Sequence, residues 1–172
     1  MAIVVEETSG KTRDLPIAPE LRNLLKVAAE EAGISKVRVT SGGQCPKGTC
    51  TKRTGSTRHD AGQAADLQLL IDDRLLRFTV PADLPQIVSF VSAAASAGAT
   101  GFGAGLNYMG NDTIHVGFGS RAVWGAGGQS SNAPQWLINA ARAGWETKGI
   151  AFPKSLDFSL DSDDEELEND YK

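Results

Sequence analysis

The chain has 172 residues, 41% of them hydrophobic, with 17 Lys+Arg against 21 Asp+Glu and a formal net charge of −4. That length fits one domain, with or without an appendage, and is enough to bury a real core. No apolar run reaches the roughly 18 residues of a membrane span, Met1–Glu7 lacks the basic and apolar regions of a secretory signal, and two Cys are too few for a disulfide framework.

Pro19–Ala32 is predicted to be a helix. Pro19 suits its first position, Leu21, Leu24, Leu25 and Ala28 form an apolar stripe, and Gly33 stops it. Lys36–Thr40 alternates as a short strand with Val37 and Val39 on one face, and a Gly/Thr/Lys loop follows over Ser41–Thr57. Ala64–Ile71 reads as an apolar strand, joined by an Asp72-Asp73 turn to a second strand over Leu75–Val80. Asp83–Ala97 is a second helix, capped by Asp83 and closed by Gly98. Gly101–Gly105 and Thr113–Phe118 are two further strands, and Pro134–Ala143 is a third helix ended by Gly144. This order predicts an α+β fold, a small, mostly antiparallel sheet with helices packed on it.

Charge is unevenly spread. Residues 157–172 hold eight acids and one base, leaving the remainder of the chain at +3. We therefore expect a folded domain over 1–155 and an acidic C-terminal tail over 156–172. The body has too little basic excess, and too few aromatics in its basic stretch, for nucleic acid. An acidic wall polymer suits a mildly basic surface.

The chain's two His residues have informative settings. One opens His59-Asp60-Ala61-Gly62-Gln63-Ala64-Ala65-Asp66; the other lies in Asp112-Thr113-Ile114-His115. Imidazole and carboxylate are good zinc ligands, and two His with one acid leave a fourth position open for water. On one flat strand, His59 and Asp66 would point to opposite faces. Gly62 permits a turn that brings both to one point. Asp66 then faces the site while Leu67 and Leu69 face the core, and His115 points away from Ile114 and Val116.

The pattern His-x-x-Gly-x-Ala-x-Asp, followed by acid-x-x-His, resembles the M15 zinc peptidases: D-Ala-D-Ala carboxypeptidases and dipeptidases, and phage L-alanyl-D-glutamate endolysins. The resemblance covers about residues 19–145 and implies an M15, hedgehog-like architecture. It implies zinc held by His59, Asp66 and His115, with Asp112 as catalytic base. The Asp at that position is closer to the phage endopeptidase branch. The family's strand Arg is replaced by Gln44, in Ser41-Gly42-Gly43-Gln44; Arg53 or Arg58 is a substitute, and Arg58 is our choice to hold the oxyanion. Gln44 remains a substrate contact by position.

Trp136 and Trp145 are expected to pack in or beside the core, whereas Trp124, in a Gly-rich stretch, is a candidate to line a peptide or sugar groove. Cys45 and Cys50 either close a small disulfide or remain free thiols. The implied partner is the stem peptide of bacterial peptidoglycan, with no membrane insertion. The lack of a signal peptide points to a phage virion or to host cytoplasm with release to the wall. Two alternatives stand beside the endopeptidase: a D-Ala-D-Ala carboxypeptidase, and a virion structural component whose hydrolase activity is secondary or lost. In the virion, the acidic tail is a candidate to dock on phage tail or other particle proteins.

Overall fold

The computed structural model describes residues 1–148, so the expected boundary at 155 and the acidic tail lie outside the described residues. In chain order the elements are β1 (Ile3–Glu6), α1 (Pro19–Ala32), β2 (Lys36–Ser41), β3 (Ala64–Ile71), β4 (Arg74–Leu75), α2 (Leu84–Ser96), β5 (Gly101–Gly105), β6 (Gly110–Gly117), β7 (Ala122–Trp124) and α3 (Gln135–Thr147). Among the described residues no helix is long and apolar enough to cross a membrane.

The strands form one mixed, seven-stranded sheet in the order β1-β2-β3-β6-β5-β7, with β4 beside β3. With three α-helices among the described residues, this is an α+β arrangement. Against the expectation of a mostly antiparallel sheet, β1 and β7 pair in parallel with β2 and β5. They have four and three residues, too few to show an alternation on their own.

Helix α1 opens on Pro19 and closes on Gly33, whose φ of 71° is the left-handed conformation that glycine adopts most readily. Its Leu21, Leu24, Leu25 and Ala28 are buried. They join Val37 and Val39 of β2, Leu67 and Leu69 of β3, and Ile114 and Val116 of β6 in one core. Side chains alternate along a strand, so burying this set leaves Asp66 and His115 for the opposite face.

Three local expectations are corrected. Strand β4 ends at Leu75 instead of continuing to Val80. The chain leaves the sheet there, with the Phe78 amide bonded to Asn111 O and the Phe78 ring against Trp136. Asp83 precedes α2 but its side chain makes no capping bond. Its carboxylate instead accepts from Arg74 Nη1 (2.6 Å) and the Arg77 amide (3.1 Å), tying β4 to the start of α2. Gly144 lies inside α3, not at its end. A Cβ there would sit 2.2 Å from Ser92 O and 2.6 Å from Ala95 Cβ, so glycine is what lets α3 press against α2.

Gly62 is required for a different reason. Its φ is +74°, and a Cβ would meet Ala18 N at 2.5 Å and Pro16 O at 2.7 Å, both backbone atoms that cannot swing away. Gly62→Ala should therefore destabilise the protein by about 2–4 kcal/mol, combining left-handed strain with overpacking. Urea unfolding measures it. A loss under about 0.5 kcal/mol, the range of an ordinary surface change, would mean that the 16–18 segment yields freely.

Candidate metal centre

Asp66 and His115 are direct partners across the antiparallel β3–β6 ladder, in the middle of the sheet. His59 arrives from outside the sheet, on a short 3-10 turn over Thr57–His59. Ser56 caps that turn, its Oγ accepting the Arg58 amide at 3.0 Å. Ala61 and Gly62, both at positive φ, then reverse the chain into β3. The turn predicted at Gly62 is thus what carries His59 back over Asp66.

His59, Asp66 and His115 are 0%, 3% and 1% exposed, and their ligand atoms all lie within 4.8 Å of one another. His59 Nε2 is 3.6 Å from Asp66 Oδ2, and His115 Nδ1 is 3.0 Å from Asp66 Oδ1. Neighbouring ligands of a tetrahedral zinc ion are about 3.4 Å apart, so these separations suit a shared ion. The hydrogen bonding agrees. His59 Nδ1 lies 2.9 Å from Gly42 O, which makes Nδ1–H the donor and turns Nε2 to Asp66. Among the described residues, Nε2 of each imidazole is buried without a hydrogen-bond partner. Buried polar atoms seldom go unsatisfied, and an ion would account for one here. The trio could hold a metal ion.

Burial lowers the His115 pKa from 6.5 to about 4, only partly opposed by Asp66, so its imidazole is neutral at physiological pH. Burial acts to raise the Asp66 pKa, but His59 and His115 more than offset it and hold the carboxyl well below the usual range. A neutral imidazole beside an ionised carboxylate is what a metal needs at these two positions.

The other residues singled out in the sequence surround this trio in specific ways. Gln44 is buried, and its amide donates to Ser56 O and Asp60 Oδ1 while accepting from the Thr54 amide. The carboxamide thus ties the loop together at Ser56, Asp60 and Thr54. Arg53 donates to Cys45 O and to Asp60 Oδ1. Cys45 and Cys50 are joined as a disulfide, which closes the loop that carries these contacts.

Arg58 is buried as well, donating to Phe118 O, Ser120 O and Ser120 Oγ. Its guanidinium lies 4.6 Å from the centre of the Trp124 ring. Trp124 is fully buried, so the expected groove wall is an internal one. Its ring lies 4.9 Å from that of His115, and its Nε1–H donates to Tyr108 Oη at 3.1 Å. The close approach explains two glycines of β5: a Cβ on Gly103 would fall 2.3 Å from Trp124 Nε1, and one on Gly101 would fall 2.8 Å from Arg58 Nη1. Arg58 and Trp124 thus brace the imidazole of His115.

Asp112 is half-buried on β6 and accepts the Thr113 hydroxyl at 2.7 Å. It is not one of the three converging ligands. Arg13 was not singled out by sequence. It is 4% exposed, with Nη1 3.6 Å from Asp66 Oδ2. No motif marks it, because it reaches the site from a segment distant in sequence.

No family model, curated protein or solved structure matches the chain.

Proposed function

We propose that the protein is a zinc-dependent peptidase that cleaves an amide bond in the stem peptide of bacterial cell wall. What supports this reading above all is the meeting of His59, Asp66 and His115 around one point, in the order and spacing of the resembling M15 motif. Two imidazoles and one carboxylate suit zinc and leave a coordination position for the reaction. When bound, zinc would lower the pKa of water from about 15.7 toward about 7 and polarise the scissile carbonyl.

The protein's own groups then have defined tasks. By the same resemblance, the Asp112 carboxylate takes a proton from the attacking water and returns it to the leaving amine nitrogen as the C–N bond breaks. Gly42 O holds the His59 ring through Nδ1–H, and Trp124 holds the face of His115. The stem-peptide substrate comes from the family resemblance, as does the preference for an endopeptidase over a carboxypeptidase.

Mass spectrometry of sacculi digested with the zinc-loaded protein tests this reading. New amino termini within the stem are expected; free D-Ala would indicate the carboxypeptidase instead. Asp112→Asn should retain zinc yet lose at least about a hundredfold in rate, the lower range for a general base. Intact sacculi alongside cleaved casein would overturn the proposed substrate.

A further inference from the structure

The segment that carries His59 has no share in the hydrophobic core. Among the described residues, that core takes Val39 of β2 and next takes Ala65 of β3, with no side chain from the stretch between them. Residues 46–52 are all exposed. Polar contacts and one covalent crosslink, Cys45–Cys50, therefore hold the segment. A stretch with little apolar burial lies at the low end of local stability, so a crosslink within it has leverage.

That leverage reaches His59 through Gln44 and Asp60. The Gln44 backbone brackets the ligand: its amide donates to His59 O (3.1 Å) and its carbonyl accepts the Ala61 amide (2.9 Å). Ser56, whose carbonyl takes the Gln44 carboxamide, also caps the turn of His59. Cys45 follows Gln44 directly, and its bond to Cys50 turns the chain back on itself. Arg53 then donates to Cys45 O and Asp60 Oδ1, and the Thr54 amide to Gln44 Oε1. The Lys47 amide, inside the ring that the disulfide closes, donates to Asp60 Oδ2 at 3.1 Å. Asp60, the residue after His59, is thus gripped both from within the ring and from just beyond it.

We propose that the Cys45–Cys50 bond is a redox latch on the His59 metal ligand. Closed, it holds the turn so that His59 Nε2 faces Asp66; opened, it leaves the turn to polar contacts alone, and the ion is held less tightly. Opening is a two-electron reduction. The S–S bond breaks, each sulfur gains one electron and one proton from a dithiol, and the dithiol closes its own disulfide. Cys50 is exposed, so a reductant reaches the bond. Reducing surroundings keep such pairs open and oxidising ones close them. The site would therefore load metal poorly in the first and well in the second. The effect on the ion rests on the metal-centre reading; the hold on His59 does not.

The test compares the air-oxidised protein with protein reduced by dithiothreitol and desalted under nitrogen. A third sample, the double variant Cys45→Ser, Cys50→Ser, can neither close the bond nor offer thiols to the ion. Zinc affinity, measured by chelator competition, should fall about 10- to 100-fold in both open forms, the range for losing a group that orients a ligand. Gly42 O still receives the His59 Nδ1–H, which keeps the loss below that of removing the ring. In metal-free protein, hydrogen exchange at the Gln44 and Ala61 amides should quicken on reduction, while Leu67 and Leu69 in the central strand β3 stay unchanged. Zinc bound equally tightly by closed and open forms, or equal exchange at Gln44 and Ala61, overturns the latch even in a protein that cleaves sacculi. Faster exchange on reduction in a protein that binds zinc in neither form keeps the hold on His59 and removes the metal centre, and the proposed function with it.

Discussion

Purified from zinc-supplemented medium, the protein should carry one zinc ion per chain, at the single group of converging ligands found among the described residues. His59→Ala and His115→Ala should each lower zinc affinity by about a thousandfold, or about 4 kcal/mol. Each substitution removes a ligand from a set that has no spare among the described residues. Asp60, next to His59, is engaged with Gln44 and Arg53, Asp112 is engaged with Thr113, and both Cys are in the disulfide. Asp66→Asn should be as damaging while keeping the side chain's shape. It removes the one negative charge among the three ligands and leaves Arg13 facing the ion. Metal analysis and competition with a chromogenic chelator measure the loss, with circular dichroism to confirm the fold. Unchanged zinc content in His59→Ala would remove the basis of the proposed function.

Acid should destabilise the metal-free protein well before its carboxylates titrate. The His115 imidazole takes up a proton near 6.5 in the unfolded chain but only near 4 when folded. Between these values the unfolded chain binds more protons, so stability falls as pH falls. The pKa difference corresponds to about 3 kcal/mol, lost between about pH 6.5 and pH 4. Asp66 acts in a lower window. Its folded pKa is depressed, so its stabilisation is complete above the ordinary carboxylate range and is lost only below it. The early loss therefore belongs to His115. Urea midpoints of metal-free protein at a series of pH values between 7.5 and 4 read it directly. A flat profile over that interval would show that His115 is not buried neutral. Saturating zinc should move the onset to lower pH, because metal and proton compete for the same imidazole.

Some of this molecule is legible in the sequence because the signal is local. Helix α1 declares itself through Pro19, a repeating apolar stripe and Gly33, each acting within a few residues. The faces of β3 and β6 follow from alternation, and alternation alone sets Asp66 and His115 opposite Leu67 and Ile114. The two His motifs were visible for the same reason, as short patterns with a chemical meaning. What escaped depends on partners far away in the chain. Strands β1 and β7 exist because β2 and β5 offer them an edge. Gly144 reads as a stop signal, yet its place is decided by Ser92 and Ala95 of α2. Gln44, Arg58 and Trp124 stand near the motif in sequence, but their burial and their partners depend on loops and strands that the motif does not describe. Arg13 is the clearest case, since only the docking of residues 13–15 on Gly42 and Gly43 brings it to Asp66.

The cross-strand pairing of Asp66 with His115 bears on how long a bound ion would stay. Surface metal sites lose their ions through the fraying of a loop. Here two of the three ligands lie in the β3–β6 pair at the centre of the sheet, where backbone amides open only with the whole structure. Only the turn that carries His59 can move without unpairing strands. Release would therefore divide into a fast, partial detachment at residue 59 and a slow step governed by global unfolding. At the slow limit, the lifetime of the ion in its site and the lifetime of the fold become one quantity.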